Sequence, residues 1–350
     1  MNKKKILIAA GGSGGHVFPG ITLAKYFKKN NWQVIWIGTK NGIESKMIPK
    51  YGIKIFFINI EGIVGKKIKT LILSPIKILY ACYQSIKIIK KISPKVILVM
   101  GGYVSGPVGI AAKICKIPLL VHEQNTVAGI TNKILSKISN INMQAFSNTL
   151  NNAYIVGNPI REEILNINKP LKRFQKRKGK IRILILGGSQ GSIILNNVIV
   201  EVAKKLKNNI KILHQTGNKD FFRIKKIYLK NKLFQHQIVN FIKNIDEAYE
   251  WTDMIIGRSG ALTVSEILSI NLPSILIPYN HKDKQQYFNA LILKKMGIAK
   301  IISEKNLSVK KILEILKIWN RKEIVRMICK SQKIDFKNST KKIFNLINDL

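Results

Sequence analysis

The chain has 350 residues, of which 46% are apolar and 22% charged, and this balance is typical of a globular protein rather than a disordered one. Sixty lysines and arginines against 18 aspartates and glutamates give a formal net charge of +42, which attracts polyanions of every kind. Because the lysines are spread singly along the whole chain, this charge alone does not distinguish nucleic acid, an anionic membrane and a phosphorylated substrate.

The cysteines and the lengths of the apolar runs indicate the cellular compartment of the protein. Cys82, Cys115 and Cys329 match neither a disulfide framework nor the spacing of a zinc site, which favours a reducing compartment. The apolar run after the first lysines is too short for a signal peptide, and no stretch approaches the ~20 apolar residues of a membrane span. The sequence therefore predicts a cytoplasmic protein that can lie against a membrane.

Short apolar runs alternate with helical patterns in two series along the chain. Runs that are apolar at every position indicate strands buried on both faces, as in parallel sheets covered by helices. We therefore predict an α/β protein with two doubly wound, Rossmann-like domains that face a cleft. The first series is KILIAA, QVIWIG, KIFFI, KVILVMGG, PLLVHEQ and AYIVGNP, and the second is RILILGG, IKILHQT, QIVNF, DMIIG, SILIP and AKII.

The two series set the expected domain boundaries. We predict an N-terminal domain over 1–157, a linker region over 158–180, a C-terminal domain over 181–335 and a helix over 336–350 that packs back on the first domain. The linker contains NKPLKRFQKRKGK, which is polar, basic and without apolar periodicity. In doubly wound domains, ligands are expected at the carboxyl ends of the strands.

Three glycine-rich turns, at 11–15, 101–106 and 187–191, each follow a predicted strand and precede a helical pattern. Glycine lets the backbone bend tightly and lets a ligand approach the amides, while the following helix offers free N–H groups to an anion. The turns match neither the complete dinucleotide fingerprint nor a P-loop, so they favour an amide-bound diphosphate over NAD or ATP. Glycine in a strand-to-helix turn can also be purely structural.

Seven motifs occur in chain order, namely GGSGGHVFPG, MGGYVSGP, HEQN, VGNPIR, GGSQG, RSGALTVSE and HKDKQQYFNA. Together they make the sequence similar to the MurG family of bacterial glycosyltransferases. The likeness runs to about Ser303, and Ser13 stands where the family has threonine. The resemblance implies a GT-B fold, no cofactor, and transfer of GlcNAc from UDP-GlcNAc to the 4-hydroxyl of undecaprenyl-diphospho-MurNAc-pentapeptide. This step turns lipid I into lipid II in peptidoglycan synthesis, at the cytoplasmic face of the inner membrane.

The reaction of this family inverts the anomeric centre, so a base must take the acceptor proton. His16 follows the first glycine turn at a helix start, which disfavours the protonated imidazole and keeps a neutral base available. It could instead cap the helix or contact a phosphate. Glu123 is the rival base, since it ends a buried strand where an idle carboxylate is costly, but it could instead pair with a lysine.

The resemblance also implies the binding residues. Glu266 would accept the ribose hydroxyls, Gln285 and Asn125 would contact the sugar, and Ile242 would contact uracil through its backbone. Asp283 and Gln286 have the spacing of a capping box, a structural role. No Asp-x-Asp pair occurs, which argues against a metal-bridged diphosphate and leaves amides and cations to stabilise UDP. The predicted donor set is Ser13, Gly14, Gly15, Asn125, Arg161, Ser189, Ile242, Ala261, Leu262, Thr263, Val264, Ser265, Glu266 and Gln285. The predicted acceptor-diphosphate set is Gly12, Gly102, Tyr103 and Ser105.

Ile72, Ile76, Leu79 and Tyr83 share one face of a predicted helix, with Lys69 and further lysines nearby. An apolar face bordered by lysines is typical of a helix that lies on an anionic membrane surface. A core-facing helix would show the same apolar spacing. The polyprenyl tail of the expected acceptor favours membrane contact.

Two other functions fit parts of the sequence. One is another UDP-sugar enzyme of the same fold, such as a lipid glycosyltransferase or an epimerase, and the segments GGYVSG and HEQN argue against it. The other is a basic nucleic-acid-binding protein, which would need lysines on one face with interleaved aromatic residues. Only 8% of the residues are aromatic, so we expect no nucleic-acid partner.

Overall fold

The computed structural model describes residues 3–62, 74–175, 177–188, 190–207, 209–331 and 338–350. The chain forms two compact units, the first from Met1–Arg161 and Phe336–Leu350 and the second from Glu162–Asp335. Each unit is built on one parallel sheet with helices packed against it, so the predicted fold class of two Rossmann-like domains is confirmed.

The first unit contains seven parallel strands in the spatial order β3-β2-β1-β4-β5-β6-β7. Every run of the first predicted series forms a strand, but β6 was not predicted because Asn142 and Gln144 interrupt its apolar pattern. The strands are β1 (Lys5–Ala9), β2 (Gln33–Gly38), β3 (Lys54–Phe57), β4 (Val96–Val99), β5 (Leu119–Glu123), β6 (Ile141–Gln144) and β7 (Ala153–Ile155). Their described helices are α1 (Gly14–Lys29), α2 (Ile43–Met47), α3 (Ser74–Ile92), α4 (Ser105–Ile114) and α5 (Ile130–Leu135), with a 3₁₀ helix at Ile48–Tyr51.

Strand β1 shows how the first sheet is buried on both sides. Ile6 and Ile8 belong to one apolar cluster, whereas Leu7 and Ala9 belong to another, and all four side chains are buried. Because successive side chains in a strand point to opposite faces, the two clusters are the two faces of the sheet. This explains why the sequence of the strand is apolar at every position.

The second unit contains six parallel strands in the spatial order β10-β9-β8-β11-β12-β13, and the second predicted series is confirmed strand by strand. The strands are β8 (Ile181–Leu186), β9 (Ile210–Gln215), β10 (Gln237–Val239), β11 (Met254–Gly257), β12 (Ser274–Leu276) and β13 (Ala299–Ile301). The helices are α6 (Glu162–Leu165), α7 (Pro170–Gln175), α8 (Ile193–Lys205), α9 (Phe221–Lys230), α10 (Ile245–Trp251), α11 (Ala261–Ile270), α12 (Gln285–Lys295), α13 (Val309–Ile318) and α14 (Arg321–Lys330), with a 3₁₀ helix at Glu304–Asn306.

The structure differs from the sequence expectation over 158–180, where a linker was predicted. This segment contains α6 and α7, and Phe174 is buried in the core of the second unit. Arg173 is also buried, because its guanidinium donates to the carbonyl oxygens of Tyr249 and Ile270 at 3.1 and 2.7 Å. Basic residues that bury their charge against helix carbonyls produce no apolar pattern, so composition suggested a solvated linker.

Helix α15 (Ser339–Asn348) belongs to the first unit although it follows the second unit in the chain. Ile343 and Ile347 are fully buried in the cluster on one face of the first sheet. The Phe344 ring packs on α1, with its centroid 5.1 Å from that of Phe27. The helix therefore completes the core of the first unit.

Candidate active site

Each sheet has one place where the strand order reverses, between β1 and β4 in the first unit and between β8 and β11 in the second. Loops leave such neighbouring strands towards opposite faces, and the crevice at their carboxyl ends is where doubly wound sheets bind ligands. The three predicted glycine turns directly follow β1, β4 and β8. The turns therefore lie at the two switch points.

The turns after β1 and β4 pack closely against each other. Gly101 and Gly102 have φ of +89° and +80°, and a Cβ on Gly102 would lie 2.6 Å from the carbonyl oxygen of Gly11. A Cβ on Gly101 would lie 3.0 Å from Cε1 of His16. Glycine is thus required here by backbone conformation, by the approach of the two turns and by the imidazole.

His16 is half-buried in the first turn of α1. Its Nδ1 lies 3.0 Å from Oε1 of Gln124, which follows β5. Ser13 precedes the helix with extended backbone, and Gly14 and Gly15 are its first residues. The first amides of a helix lack partners within the helix, so this turn offers N–H groups suited to an anion beside the imidazole.

A buried carboxylate, which the sequence did not reveal, supports the first turn. Glu44 in α2 is fully buried, and its oxygens accept from Thr39 N at 2.9 Å, Thr39 Oγ1 at 2.8 Å and Gly12 N at 3.3 Å. The amide of Gly12, predicted to contact the acceptor diphosphate, is therefore engaged inside the protein.

Tyr103 and Ser105, which also belong to the predicted acceptor set, contact the turns after β1 and β4. The ring of Tyr103 lies against Gly12, where a Cβ would be 2.8 Å from Cε1, and its hydroxyl is 3.4 Å from Thr39 Oγ1. Ser105 is buried, with Oγ 2.7 Å from the carbonyl oxygen of Gly101 and 3.2 Å from that of Ala9. Ser105 thus ties the end of β1 to the turn after β4.

The two candidate bases have different surroundings. Glu123 is 1% exposed, and one oxygen accepts from the backbone and side-chain nitrogens of Asn125 at 2.9 and 3.0 Å. Its other oxygen accepts from Gly129 N at 3.1 Å and from Asn132 Nδ2 at 2.8 Å. The carboxylate is thus stabilised by amides rather than by lysine, and it fixes the loop after β5 that carries Asn125.

Arg161 lies near α1, with its guanidinium 5.8 Å from the centre of the Phe18 ring.

In the second unit, the turn after β8 is linked to the loop after β10. Gly188 and Gly191 have φ of +88° and +77°, and a Cβ on Gly191 would meet Thr216 O at 2.0 Å. Gln215 donates from Nε2 to Gly188 O at 3.1 Å and accepts at Oε1 from Ile242 N at 2.9 Å. The predicted uracil contact and the glycine turn are therefore held by one side chain, which the sequence did not single out. Ser189 lies outside the described residues.

Helix α11 begins after Gly260, as the motif predicted. Glu266 is 3% exposed, and its Oε2 accepts from the hydroxyl of the buried Tyr249 at 2.8 Å. Tyr249 comes from α10 and was missed because nothing in the sequence connects it to this motif. Of the other predicted donor residues on the helix, Ala261, Val264 and Ser265 are buried, whereas Leu262 and Thr263 are half-exposed.

Arg258, directly after β11, ties together the elements around this second switch point. It donates to Ser192 Oγ at 2.7 Å and to Ile277 O at 3.1 Å, and it forms an ion pair with Glu304. Ser192 is the N-cap of α8 and accepts from Leu195 N. The side chain therefore fixes the start of α8 relative to β12.

The capping box predicted for Asp283 and Gln286 is wrong. Helix α12 begins at Gln285 and has Lys284 as its N-cap, so Asp283 lies one residue too early. Asp283 instead accepts from Gln285 N at 3.1 Å, and Gln286 Oε1 accepts from Tyr279 N at 2.9 Å. The side chain of Gln285 stands on the first turn of the helix.

The apolar face predicted on α3 is exposed. Ile76, Leu79 and Tyr83 are 66%, 70% and 52% exposed, which excludes the alternative that these residues face the core. Ala81, Cys82 and Ser85 are buried instead. Helix α3 packs against α4 and α4 against α5, and those neighbours expose Ile110, Ile114, Ile130 and Ile134. Ile72 and Lys69 lie outside the described residues.

The described residues contain no group of three or more histidine, cysteine, aspartate or glutamate side chains that could hold a metal ion. None of the described helices has the length and hydropathy needed to cross a bilayer.

Comparisons with known proteins agree with this arrangement. The glycosyltransferase family 28 N-terminal domain matches residues 6–142, and the family 28 C-terminal domain matches residues 182–344. The UDP-N-acetylglucosamine--N-acetylmuramyl-(pentapeptide) pyrophosphoryl-undecaprenol N-acetylglucosamine transferase of Buchnera aphidicola subsp. Schizaphis graminum is 54% identical over 350 residues, covering 100% of this chain and 99% of that protein. The chain belongs to the MurG family.

Other members of the MurG family extend the likeness. The protein of the same name from Blochmanniella pennsylvanica is 47% identical over 346 residues, covering 99% of this chain and 98% of its own. The crystal structure of Acinetobacter baumannii MurG superposes with a TM-score of 0.83 at 30% identity and full coverage of both chains. Family membership favours the glycosyltransferase over the epimerase and the nucleic-acid-binding protein.

Proposed function

We propose that this protein transfers N-acetylglucosamine from UDP-GlcNAc to the 4-hydroxyl of undecaprenyl-diphospho-N-acetylmuramoyl-pentapeptide. The full-length relatives carry the name of this activity. The observation that carries the proposal is the position of His16, beside two packed glycine turns at the switch point of the first sheet. An imidazole next to free helix amides suits an acceptor that presents a hydroxyl near a diphosphate.

In the proposed reaction, the acceptor 4-oxygen attacks the anomeric carbon of GlcNAc while His16 takes the hydroxyl proton. The bond from that carbon to the β-phosphate oxygen breaks on the opposite side, and its electron pair leaves with UDP, so the configuration inverts. Glu123 is the weaker candidate for the base, since four amide donors occupy its two oxygens. Its proposed role is to hold the loop of Asn125.

The second unit supplies the proposed donor site. The first amides of α11 and its helix dipole favour the negative charge that develops on UDP, and no metal is part of the proposal. Arg161 and the hydroxyl of Ser189 would add to this stabilisation. Glu266 would accept the ribose hydroxyls, the backbone at Ile242 would contact uracil, and Gln285 would contact the GlcNAc hydroxyls.

Purified protein with labelled UDP-GlcNAc and lipid-linked muramoyl-pentapeptide tests the activity. We expect lipid-linked disaccharide with wild type and a loss of about 10²–10⁴-fold in kcat with His16→Ala, the range of a general base. Lys25→Ala changes an exposed residue of the same helix and serves as the control. Normal turnover of His16→Ala would overturn the assignment of the base, and absence of product with wild type would overturn the function.

The exposed face of α3 supports peripheral binding to the cytoplasmic side of an anionic membrane. Lys87 Nζ lies 4.6 Å from the centre of the Tyr83 ring, so a cationic group lies beside an exposed aromatic side chain of this face. Leu79→Glu is expected to lower co-sedimentation with anionic vesicles, because the negative glutamate would be repelled by the negative lipid headgroups. Leu171→Glu, at an exposed leucine of α7, is the matched control. Equal losses in the two variants would contradict membrane docking through α3.

A further inference from the structure

A row of three hydrogen bonds runs from the candidate base into the core of the first unit. His16 Nδ1 lies 3.0 Å from Gln124 Oε1, and Gln124 Nε2 lies 3.0 Å from His122 Nδ1. His122 Nε2 in turn lies 3.0 Å from the carbonyl oxygen of Gly157. Gln124 and His122 are both buried, so water does not compete for these groups.

The inner end of the row has only one arrangement of protons. A carbonyl oxygen only accepts, so His122 must carry its proton on Nε2 to bond Gly157. Burial lowers the pKa of His122 to about 4, which leaves the ring neutral with a single proton. Its Nδ1 therefore has a lone pair that accepts from Gln124.

The orientation of the Gln124 amide follows from the same rule. Gln124 Nε2 lies 3.0 Å from the carbonyl oxygen of His122 as well as 3.0 Å from its Nδ1, and both of these atoms are acceptors. A flipped amide would place Oε1 against two lone pairs. Oε1 must therefore face His16, where it can only accept a proton from Nδ1.

We propose that His122 and Gln124 are positioning residues that hold His16 in the tautomer with the proton on Nδ1 and the lone pair on Nε2. Resting on the proposed function, this makes Nε2 the atom that takes the acceptor proton. The same hydrogen bonds stabilise His16 after it has taken the proton. The imidazolium keeps its Nδ1–H bond to Gln124 Oε1, and this bond becomes stronger because its donor is now charged. The opposite tautomer would turn two lone pairs towards each other.

The tautomer can be measured directly, without any substrate. The chain has five histidines, so ¹⁵N-histidine labelling of the full-length protein gives few ring signals, and single substitutions assign them. Long-range ¹H–¹⁵N correlation separates the Nδ1–H from the Nε2–H form. We expect neutral His16 as Nδ1–H and His122 as Nε2–H, and a wild-type spectrum with His16 as Nε2–H would overturn the proposal without need of a variant.

Variants then test whether the row causes the tautomer. Gln124→Leu removes the acceptor at Nδ1 and is expected to shift His16 towards Nε2–H and to lower kcat by about 10–100-fold, with little change in the KM for UDP-GlcNAc. His122→Phe is expected to have a smaller effect, since the carbonyl of residue 122 still orients Gln124. Gln33→Leu, at an exposed position of β2, is the matched control. A folded Gln124→Leu protein with the wild-type tautomer would overturn the proposal.

The two proposals fail in different ways. A wild-type protein that makes no disaccharide refutes the proposed function, whereas the spectrum still tests the hydrogen-bond row. An active protein whose His16 carries its proton on Nε2 refutes the row alone.

Discussion

Gly102 provides the sharpest test of why glycine is needed at the first switch point. Its φ is +80°, and a Cβ would lie 2.6 Å from the carbonyl oxygen of Gly11, a backbone atom that cannot rotate away. The left-handed backbone costs alanine ~1–2 kcal/mol. The forced shift of packed groups costs a further ~1–3 kcal/mol. We therefore expect Gly102→Ala to destabilise the protein by about 2–5 kcal/mol.

Gly52→Ala, in the same unit, separates the cost of the left-handed backbone from the cost of displacing packed groups. Its φ is +62°, but the nearest atom to a new Cβ is the flexible Lys28 Nζ at 3.5 Å, so only the backbone term of ~1–2 kcal/mol applies. Thermal unfolding followed by circular dichroism checks the difference, at about 2–4 °C for each kcal/mol. Only Gly102→Ala is expected to lower kcat/KM for the lipid acceptor, because it displaces the turn that carries His16. Equal losses of stability would refute the close-approach argument.

The remaining predictions concern hydrogen bonds and protonation. Tyr249→Phe removes the hydrogen-bond donor to Glu266. Such a bond is worth ~1.5–3 kcal/mol, so calorimetry should show UDP binding weakened by about 10–150-fold. Tyr154→Phe, at an exposed tyrosine, should leave UDP binding unchanged. Glu123→Gln places an NH₂ donor against groups that are themselves donors, so we expect the free energy of unfolding to fall by ~1–3 kcal/mol. Urea unfolding measures this change, and an unchanged urea midpoint would contradict the role of Glu123 in fixing its loop. Burial lowers the pKa of His214 to about 3, so the unfolded state binds more protons between that pKa and 6.5. Stability should therefore fall as the pH drops through this window, by up to ~1.4 kcal/mol per pH unit, and His214→Gln should show a shallower fall in urea midpoints; parallel curves would refute the assignment.

The sequence was sufficient to predict the fold because buried parallel strands leave a strong local signal. β1, for example, is apolar at every position and ends in glycine. β6 was missed because its polar side chains break the apolar pattern while bonding to nearby loops: Gln144 Oε1 accepts from Thr149 N and Leu150 N in the loop that follows the strand. The segment 158–180 was misjudged because the partners of its arginines, such as Asp253 for Arg177, lie far along the chain.

The site was predictable only where a motif marked it. The glycine turns, His16 and Glu266 were found in this way, and their proposed roles in binding and catalysis remain predictions. Glu44, Gln215 and Arg258 were not found, since each acts by bridging segments that are distant in sequence. A lone glutamate or glutamine has no periodicity, and only the folded backbone reveals which amide it reaches.

The docking of α15 on α1 has a consequence for biosynthesis. Residues 339–348 are translated after the entire second unit, yet Ile343 and Ile347 fill the core beside Phe27. While the ribosome is still adding the second unit, the nascent first sheet must leave that hydrophobic groove uncovered. The first unit can therefore complete its core only after the whole second unit has been synthesised.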